Sequence, residues 1–325
     1  MCYCFFQELY GVYKMGLFDS LYYFHQLKKS GKVDSVIKAV EEFDNKKYKI
    51  GQQLDNLEKE VALTKGRLGQ IQDAVVRKSL DTKIDVDYAT QHICFETVYR
   101  VIAAGCSPFL VGPAGSGKST ILAQVANAMG LDFYPMSVNA LTSDYNIIGY
   151  NDANGKYVSS AFRQAYEHGG IFSFEEIDAG NPNVMTVINN AMSQDKYMFP
   201  DKIVQKHPRF ILTASGNTYG TGANIKYVGR NPLDAATLDR FVMVYTDYDT
   251  NLESRLCANK DWLSWVWAVR GVVNRLDMNL VVGTRAVLHG EKLLNAGLPR
   301  QAVEQMVVFK GMPMADAEKI RGNIR

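Results

Sequence analysis

The clearest motif in the sequence is Gly112-Pro113-Ala114-Gly115-Ser116-Gly117-Lys118-Ser119-Thr120, which fits the phosphate-binding pattern G-x-x-x-x-G-K-[ST]. The apolar run at residues 108–111 precedes it and has the character of a buried parallel strand. Residues 121–129 follow with a helical pattern that ends at Gly130. Because strand, glycine-rich loop and helix stand in the required order, we favour a nucleotide-binding loop over a chance glycine-rich turn.

The residue types in this loop suit phosphate chemistry. The glycines allow the backbone to curl so that its N–H groups point at phosphate oxygens. The start of the following helix adds a partial positive charge at the same place. We expect Lys118 to reach the β- and γ-phosphates of ATP and the Ser119 hydroxyl to ligate Mg²⁺. All nine residues of the motif are therefore predicted to bind nucleotide.

Composition sets limits on the class of protein. The 325 residues leave room for two or three domains, and the net charge of +2 argues against a strongly basic nucleic-acid surface. No stretch approaches eighteen apolar residues, so we expect no membrane span. The five cysteines have no C-x-x-C spacing, which predicts reduced thiols of a cytoplasmic protein and no zinc site. They are Cys2, Cys4, Cys94, Cys106 and Cys257.

Residues 1–31 form a segment rich in aromatic side chains. Charged residues interrupt it and no basic region precedes it, so a signal peptide is not expected. A myristoylation signal would exist only if translation began at Met15. We expect a short helix that packs through its aromatic face.

Residues 32–84 are predicted to form a coiled-coil helix. From residue 33 to residue 75, apolar positions follow alternating steps of three and four, broken at only two positions. Of residues 32–83, 20 of 52 are charged, as expected for a helix that is solvated on most sides. Gly51 and Gly66 each cost about 1 kcal/mol, so the helix is expected to bend or break there. Either the helix pairs with a partner or its own copy, or it forms a hairpin folded back on the body.

Between this segment and the second motif, local patterns predict a linker and three elements. A helix is expected at about residues 88–104, before the phosphate loop. The Asn154-Gly155 step predicts a β-hairpin that projects near Tyr157. A further helix is expected at residues 160–168.

The second motif is an apolar strand that ends in two acids, Glu175 and Glu176. Downstream of a phosphate loop, such a pair suits the handling of magnesium and water. Glu175 is predicted to hold Mg²⁺, and Glu176 to orient or deprotonate the attacking water; the alternative is a simple acidic turn. Another buried strand, residues 210–217, ends in Asn217. Because parallel sheets place ligands at the carboxyl ends of their strands, Asn217 should lie beside Glu176.

Two arginines complete the candidate site. Arg240 immediately precedes the last predicted strand, residues 241–245. From residue 251 the pattern is helical, and Arg285 stands near the start of one of these helices. A positive charge is unfavourable at a helix N-terminus. A role facing phosphate would explain Arg285, and a solvated surface arginine is the alternative.

The order of these motifs resembles that of AAA+ ATPases, over roughly residues 85–310. The amino-acid sequence at residues 174–178, 216–218 and 238–241 is most similar to that of the dynein-related branch. This branch includes MoxR-like proteins and the cobaltochelatase small-subunit-like ATPases, which are also found in phages. The resemblance implies an α/β fold: a three-layer α-β-α domain with a parallel five-stranded sheet at residues 85–248. A small helical lid would follow at residues 249–325.

The resemblance also implies roles for single residues. The branch usually has Asp where this chain has Glu175, and we expect activity to survive because the charge and the reach through water are kept. The residues it assigns to catalysis are Glu176, Asn217 as sensor 1, Arg240 as the arginine finger, Arg230 as the reserve candidate for the finger, and Arg285 as sensor 2.

The family assembles into rings, so a homo-oligomer, usually a hexamer, is expected, with ATP and Mg²⁺ as cofactors. Remodelling of a protein client, for example with a von Willebrand-type partner, is the leading hypothesis. A nucleic-acid motor is the second; it would need a basic strip, and near Tyr157 the sequence offers only Lys156 and Arg163. The third is an ATP-binding switch with weak hydrolysis, for which Glu175 is the one hint.

Overall fold

The structure is a computed structural model that describes residues 22, 25, 26, 28–81 and 90–324. The chain divides into two units, one ending at Val75 and the other beginning at Val76. The predictions for residues 1–21, including the possible start at Met15, lie outside the described residues. A linker is predicted at about residues 80–87; its first two residues are helical, and the rest of it also lies outside the described residues. Outside the described residues both stay predictions.

Helix α1, Lys32–Asp81, is 50 residues long, and most of it lies in the first unit. At 1.5 Å per residue it extends about 75 Å. The helix is continuous through Gly51 and Gly66, so the break expected at these glycines does not occur and no hairpin forms within the helix. The cost of about 1 kcal/mol at each glycine is too small to end a helix of this length.

After α1, the next helix that the structure describes is α2, Phe95–Ala103. The predicted start near residue 88 is wrong for residues 90–94, which form turns. The His92 ring accepts the Cys94 N–H through Nδ1 at 3.0 Å, and its Nε2 lies 2.9 Å from the carbonyl oxygen of Asp247. Contacts with a distant segment therefore hold these residues outside the helix.

The central sheet has five strands in the order β2-β5-β8-β1-β9. All neighbouring pairs are parallel. Their bounds are β1 Pro108–Val111, β2 Phe133–Ser137, β5 Gly170–Glu175, β8 Phe210–Gly216 and β9 Val242–Tyr245. The predicted parallel five-stranded α/β fold is confirmed. Because all strands run the same way, their carboxyl ends lie along one edge, where such sheets bind ligands.

Helices cover both faces of this sheet. On one face, α2 and α3 (Lys118–Ala128) pack on Leu110 and Ile171. On the other, α5 (Ala161–His168) and α6 (Pro182–Ser193) pack on Phe109 and Phe172. Neighbouring residues of β1 thus face opposite layers, as strand geometry requires. The remaining helices of this part are α4, Asp144–Ile148, and α7, Ala235–Leu238.

Two small hairpins project from the domain. The first, predicted near Tyr157, pairs β3 (Tyr150–Asn151) with β4 (Tyr157–Val158). The second pairs β6 (Lys196–Met198) with β7 (Ile203–Gln205) and was not predicted. Arg163 is buried beside them: its guanidinium pairs with Glu167 and Asp201, each at 2.8 Å.

A helical lid follows the sheet. Its core contains Trp262, Val266 and Val269 from one helix, Val287 from another, and Phe309 from the residues after a third. Among the described residues, no helix combines the length and apolar character needed to cross a membrane. The elements are α8 Thr250–Leu256, α9 Lys260–Arg275, α10 Thr284–Asn295, α11 Arg300–Val303, a π-helix Glu304–Val308, and α12 Met314–Gly322.

Candidate nucleotide-binding site

The phosphate loop connects β1 to α3 at the carboxyl edge of the sheet. Gly115 and Gly117 have φ of +80° and +96°, a left-handed conformation that favours glycine. No side chain caps the start of α3. The Ser116 hydroxyl is buried and has no hydrogen-bond partner in the described part of the chain. The loop therefore presents uncommitted polar groups at a helix N-terminus, which fits a phosphate group.

Lys118 points back into its own loop. Its Nζ donates to the carbonyl oxygens of Gly112 (2.8 Å) and Pro113 (3.0 Å) and to Oδ1 of Asn217 (3.0 Å). Two predicted site residues, Lys118 and Asn217, are thus in direct contact. Burial lowers the pKa of Lys118 to about 8. Arg285 and Arg230 add to this decrease, whereas nearby Asp178 and Glu176 oppose it.

The two predicted acids lie where β5 ends. Glu176 has φ 57° and ψ 41°, a left-handed backbone that costs a residue with a side chain roughly 1–3 kcal/mol. Strain of this kind often marks a functional position. Glu175 is half-buried, and its carboxylate makes no ion pair with any described residue. Glu175 and the Ser119 hydroxyl in the first turn of α3 are oxygen ligands of the kind that Mg²⁺ accepts.

Asp178 is an organising residue that the sequence motifs did not single out. Its side chain is fully buried, and Oδ2 accepts three hydrogen bonds. The donors are the N–H of Asn217 (3.0 Å) and the N–H and hydroxyl of Thr218 (both 2.9 Å). Asp178 therefore connects the segment after β5 to the segment after β8 through hydrogen bonds. The only sequence signal for this role of Asp178 is its position two residues after the acidic pair.

Arg230, the reserve candidate for the finger, lies in the site of its own chain. Both Nη atoms donate to Oε2 of Glu176 at 3.1 Å. Its Nη1 also lies 3.4 Å from Oδ1 of Asp178. The guanidinium is largely buried, while the Glu176 side chain is 57% exposed.

Arg240 lies elsewhere. Its guanidinium donates to the carbonyl oxygen of Ala236 and to the hydroxyl of Ser193, the latter at 3.1 Å. Neither bond reaches the phosphate loop or the acidic pair. The structure therefore does not bring Arg240 together with the other predicted catalytic residues of the same chain.

Arg285 reaches the phosphate loop from the lid. A Cβ atom placed on Gly115 would lie 3.7 Å from Cγ of Arg285, so the side chain passes directly over the loop. Two tyrosines also contact the loop at Ala114: the Tyr227 hydroxyl accepts its N–H, and the Tyr248 hydroxyl donates to its carbonyl oxygen, both at 3.0 Å. The position of Arg285 thus agrees with a role facing phosphate.

A buried ion pair supports this side of the site. Glu253 accepts from Nη2 and Nη1 of Arg270 at 2.7 and 3.0 Å and from the Thr284 hydroxyl at 2.7 Å. The Arg270 guanidinium lies 4.2 Å from the centre of the Tyr248 ring. Burial raises the pKa of Tyr248, which keeps its hydroxyl protonated as a donor to the loop. Sequence reasoning missed this network, because its members are far apart and lack a local motif.

Two cavities adjoin the loop. One, of about 440 Å³, is lined by Asn217, Tyr227, Tyr248 and Arg270 among others. The other, of about 680 Å³, lies between Gly115 and the lid residues near Arg285. Both are within the usual size range of small-molecule sites.

Comparison with known proteins agrees with this geometry. Residues 107–241 match the AAA domain of the dynein-related subfamily. The aerobic cobaltochelatase subunit CobS of Sinorhizobium sp is 28% identical over 174 residues, which cover 50% of this chain and 52% of CobS. Uncharacterized protein SSP1341 of Staphylococcus saprophyticus is 22% identical over 150 residues, covering 43% of this chain and 54% of that protein. The chain thus spans about half the length of these relatives.

Among solved structures, NtrX from Brucella abortus aligns with a TM-score of 0.43 at 16% identity, covering 77% of this chain and 56% of NtrX. The same protein in complex with ADP aligns with a TM-score of 0.40 at 15% identity, covering 71% and 52%. The family match and the similarity to CobS confirm the resemblance predicted from the motifs. Residues 107–241 are therefore an AAA domain of the dynein-related subfamily.

Proposed function

We propose that this chain binds Mg²⁺-ATP and hydrolyses it to ADP and phosphate. The observation that carries the proposal is the convergence of four separate sequence positions at one loop. Lys118 contacts Asn217, and the Arg285 side chain passes over Gly115. Glu176 lies close enough to Lys118 to oppose the decrease in the pKa of its amine. These are the cation, amide and carboxylate that phosphoryl transfer to water requires.

In the proposed reaction, Glu176 accepts a proton from the water that attacks the γ-phosphate. Lys118 exchanges its loop carbonyl partners for phosphate oxygens, and Arg285 faces the charge that develops on them. Asn217, which directly follows β8, orients the γ-phosphate. Ser119 and Glu175 would hold Mg²⁺, which would supply positive charge to stabilise the transferring phosphate.

The proposed assembly is a homo-oligomeric ring, with six subunits as the expected number. Arg240 would complete the site of a neighbouring subunit, because its hydrogen bonds leave it outside the site of its own chain. CobS is a cobaltochelatase subunit, and the similarity to it supports a protein partner. A partner of the von Willebrand type is part of the proposal. The proposal includes four segments: an N-terminal segment at residues 1–31, a coiled coil containing α1 at residues 32–84, the nucleotide-binding domain at residues 85–248, and the lid at residues 249–325.

Remodelling of a protein partner is preferred over a nucleic-acid motor. Of the two basic residues counted near Tyr157, Arg163 is buried and paired with two carboxylates, so its charge is already neutralised. Lys156 alone does not make the basic strip that a nucleic-acid pore needs. A weakly hydrolysing switch remains the third hypothesis.

Two substitutions test hydrolysis at this site. Glu176→Gln removes the proton acceptor and should lower kcat by about 10²–10⁴-fold while ATP binding persists. Lys118→Ala removes a charge from the phosphate cradle and should weaken ATP binding itself. Phosphate release and ATP titration measure the two effects.

Glu96→Gln is the matched control, because Glu96 pairs with Arg100 on the outer surface of α2. Glu96→Gln should change neither kcat nor the affinity for ATP. Hydrolysis by Glu176→Gln at the rate of the unsubstituted chain would contradict the proposed role of this carboxylate.

A further inference from the structure

Two tyrosines bind Ala114 of the phosphate loop with hydrogen bonds of opposite direction. The Ala114 N–H donates to the Tyr227 hydroxyl, and the Tyr248 hydroxyl donates to the Ala114 carbonyl oxygen, both at 3.0 Å. A backbone N–H can only donate and a carbonyl oxygen can only accept, so the backbone fixes the direction of both bonds. Each tyrosine hydroxyl has one hydrogen to donate. Tyr248 therefore uses its hydrogen on the loop, whereas Tyr227 uses only its oxygen.

The hydroxyl hydrogen of Tyr227 has no acceptor among the residues that the structure describes. The one hydrogen bond of this hydroxyl is the bond that it accepts from Ala114. Tyr227 is half-buried, and a tyrosine in such a place normally donates its O–H to a partner. Phosphate oxygens are strong acceptors, and hydrogen bonds to them are short and charge-assisted. The nucleotide-free loop thus carries an O–H donor of the kind that binds a phosphate oxygen.

The backbone around Tyr227 is held in a turn. Oδ1 of Asn224 accepts the N–H of Tyr227 at 2.8 Å and the N–H of Lys226 at 3.0 Å. The Asn224 N–H donates to the carbonyl oxygen of Tyr227 at 3.1 Å, which closes the turn. Because the hydroxyl is already placed against the loop, binding a nucleotide does not have to order this side chain.

Tyr227 lies on the side of the loop that faces the γ-phosphate in the proposed reaction. It lines the cavity of about 440 Å³ together with Asn217. Asn217 contacts Lys118, and both residues are proposed to bind the γ-phosphate. The N–H groups that cradle the phosphates shared by ATP and ADP come from the glycine-rich loop and the start of the helix after it. The uncommitted O–H therefore lies beside the groups that would hold the phosphate that only ATP has.

We infer that Tyr227 is a specificity-determining residue that donates a hydrogen bond to a γ-phosphate oxygen while its own oxygen remains bonded to Ala114. This bond would favour a nucleoside triphosphate over a diphosphate. The inference rests on the proposed function, and it concerns a residue outside all the sequence motifs. A hydrogen bond to a charged group is worth about tenfold or more in affinity.

The test measures binding of two nucleotides by calorimetry with Mg²⁺ present: ADP, and the β,γ-imido analogue of ATP, which is not hydrolysed. Tyr227→Phe keeps the ring and removes the hydroxyl. The ratio of the Kd for the analogue to the Kd for ADP should increase about tenfold in this variant. Tyr248→Phe is the matched control, because it removes the other hydrogen bond to Ala114 but no uncommitted O–H. It should change both Kd values by the same factor and leave their ratio unchanged.

Four results would contradict the inference. If Tyr227→Phe weakens both nucleotides equally, Tyr227 only supports the loop. Tighter binding of the analogue to Tyr227→Phe would mean that the hydroxyl occupies the place of a phosphate oxygen. An equal change of the ratio in Tyr248→Phe would trace the effect to the Ala114 peptide. If the unsubstituted chain binds neither nucleotide, the inference and the proposed function both fail. If it binds both nucleotides and Tyr227→Phe changes the ratio, but ATP is not hydrolysed, the proposed reaction fails alone.

Discussion

Two helices with similar apolar stripes have opposite surroundings. In α9 of the lid, Trp262 and Val266 are completely buried. In α1, Phe43 and Leu57 are 68% and 58% exposed. Apolar side chains at helical spacing normally mark a face that is covered. The lid therefore completes its own core, whereas these two positions of α1 are exposed apolar side chains of the kind that another helix covers.

The candidate site likewise has residues that meet within one chain and one predicted residue that lies apart from them. Lys118, Asn217 and Arg285 meet within one chain, as does the pair formed by Arg230 and Glu176. Arg240 is hydrogen-bonded outside this group. If a neighbour completes the site, Arg240 and the stripe of α1 are the two features that act between chains.

The largest expected effect concerns Arg240. An arginine supplied by a neighbouring subunit can be worth 10³–10⁵ in rate. Arg240→Ala should therefore bind ATP normally but hydrolyse it at least about 10³-fold more slowly. Mixed with Lys118→Ala, which has an intact finger but a defective phosphate loop, it should regain activity at the mixed interfaces. Phosphate release from mixtures at constant total protein measures this.

Recovery in the mixture cannot occur if Arg240 acts within its own chain. Arg209→Ala is a matched control, because Arg209 is an exposed arginine bonded to the carbonyl oxygens of Met129 and Gly130, away from the site. If the mixture stays inactive, or if dilute protein is as active per chain as concentrated protein, a finger acting between subunits is excluded.

The elements built from local pattern were predictable from the sequence. The run before Gly112 is apolar and short, the loop is rich in glycine, and a helical pattern follows, so β1, the phosphate loop and α3 could be located directly. The place of Asn217 in the site, directly after β8, could be predicted because parallel sheets bind ligands at their carboxyl edge. In each case neighbouring residues carried the information.

Features that depend on distant contacts could not be predicted. The turn at residues 90–94 is held by the bond between His92 and Asp247, and that bond has no local signal. Arg230 was predicted only as a reserve finger, because its partner Glu176 lies 54 positions away in the sequence. The hairpin β6–β7 was missed because its strands are only three residues long and its turn lacks the Asn-Gly step that located β3–β4. Short strands give too few alternating positions to detect.

The second effect concerns stability. Val266→Asp places a charge in the buried lid core and should lower the free energy of unfolding by about 3 kcal/mol or more. Leu57→Asp places the same charge on the exposed stripe of α1 and should change it by no more than about 0.5 kcal/mol. Chemical denaturation measures both. The two variants introduce the same carboxylate, so each serves as the other's control.

Leu57→Asp should instead weaken association through α1, as detected by sedimentation at several protein concentrations. Charge in an apolar helix seam opposes pairing. Unfolding of the whole chain by Leu57→Asp would mean that the stripe belongs to a core, and the contrast between α1 and α9 would be lost.

The smallest expected effect is a pH dependence of ATP binding. Burial lowers the pKa of Lys118 to about 8 in the nucleotide-free chain, so this amine is half-protonated near that pH. Phosphate oxygens favour the charged form, so binding should raise its pKa and take up a proton. Affinity should then be constant below pH 7 and decrease about tenfold between pH 7 and pH 9. Calorimetry in buffers of different ionisation enthalpy should detect uptake of about half a proton at pH 8. Lys118→Arg stays protonated throughout this range and should bind ATP without the uptake. Release of protons on binding, or equal uptake by Lys118→Arg, would show that the linked group is not Lys118.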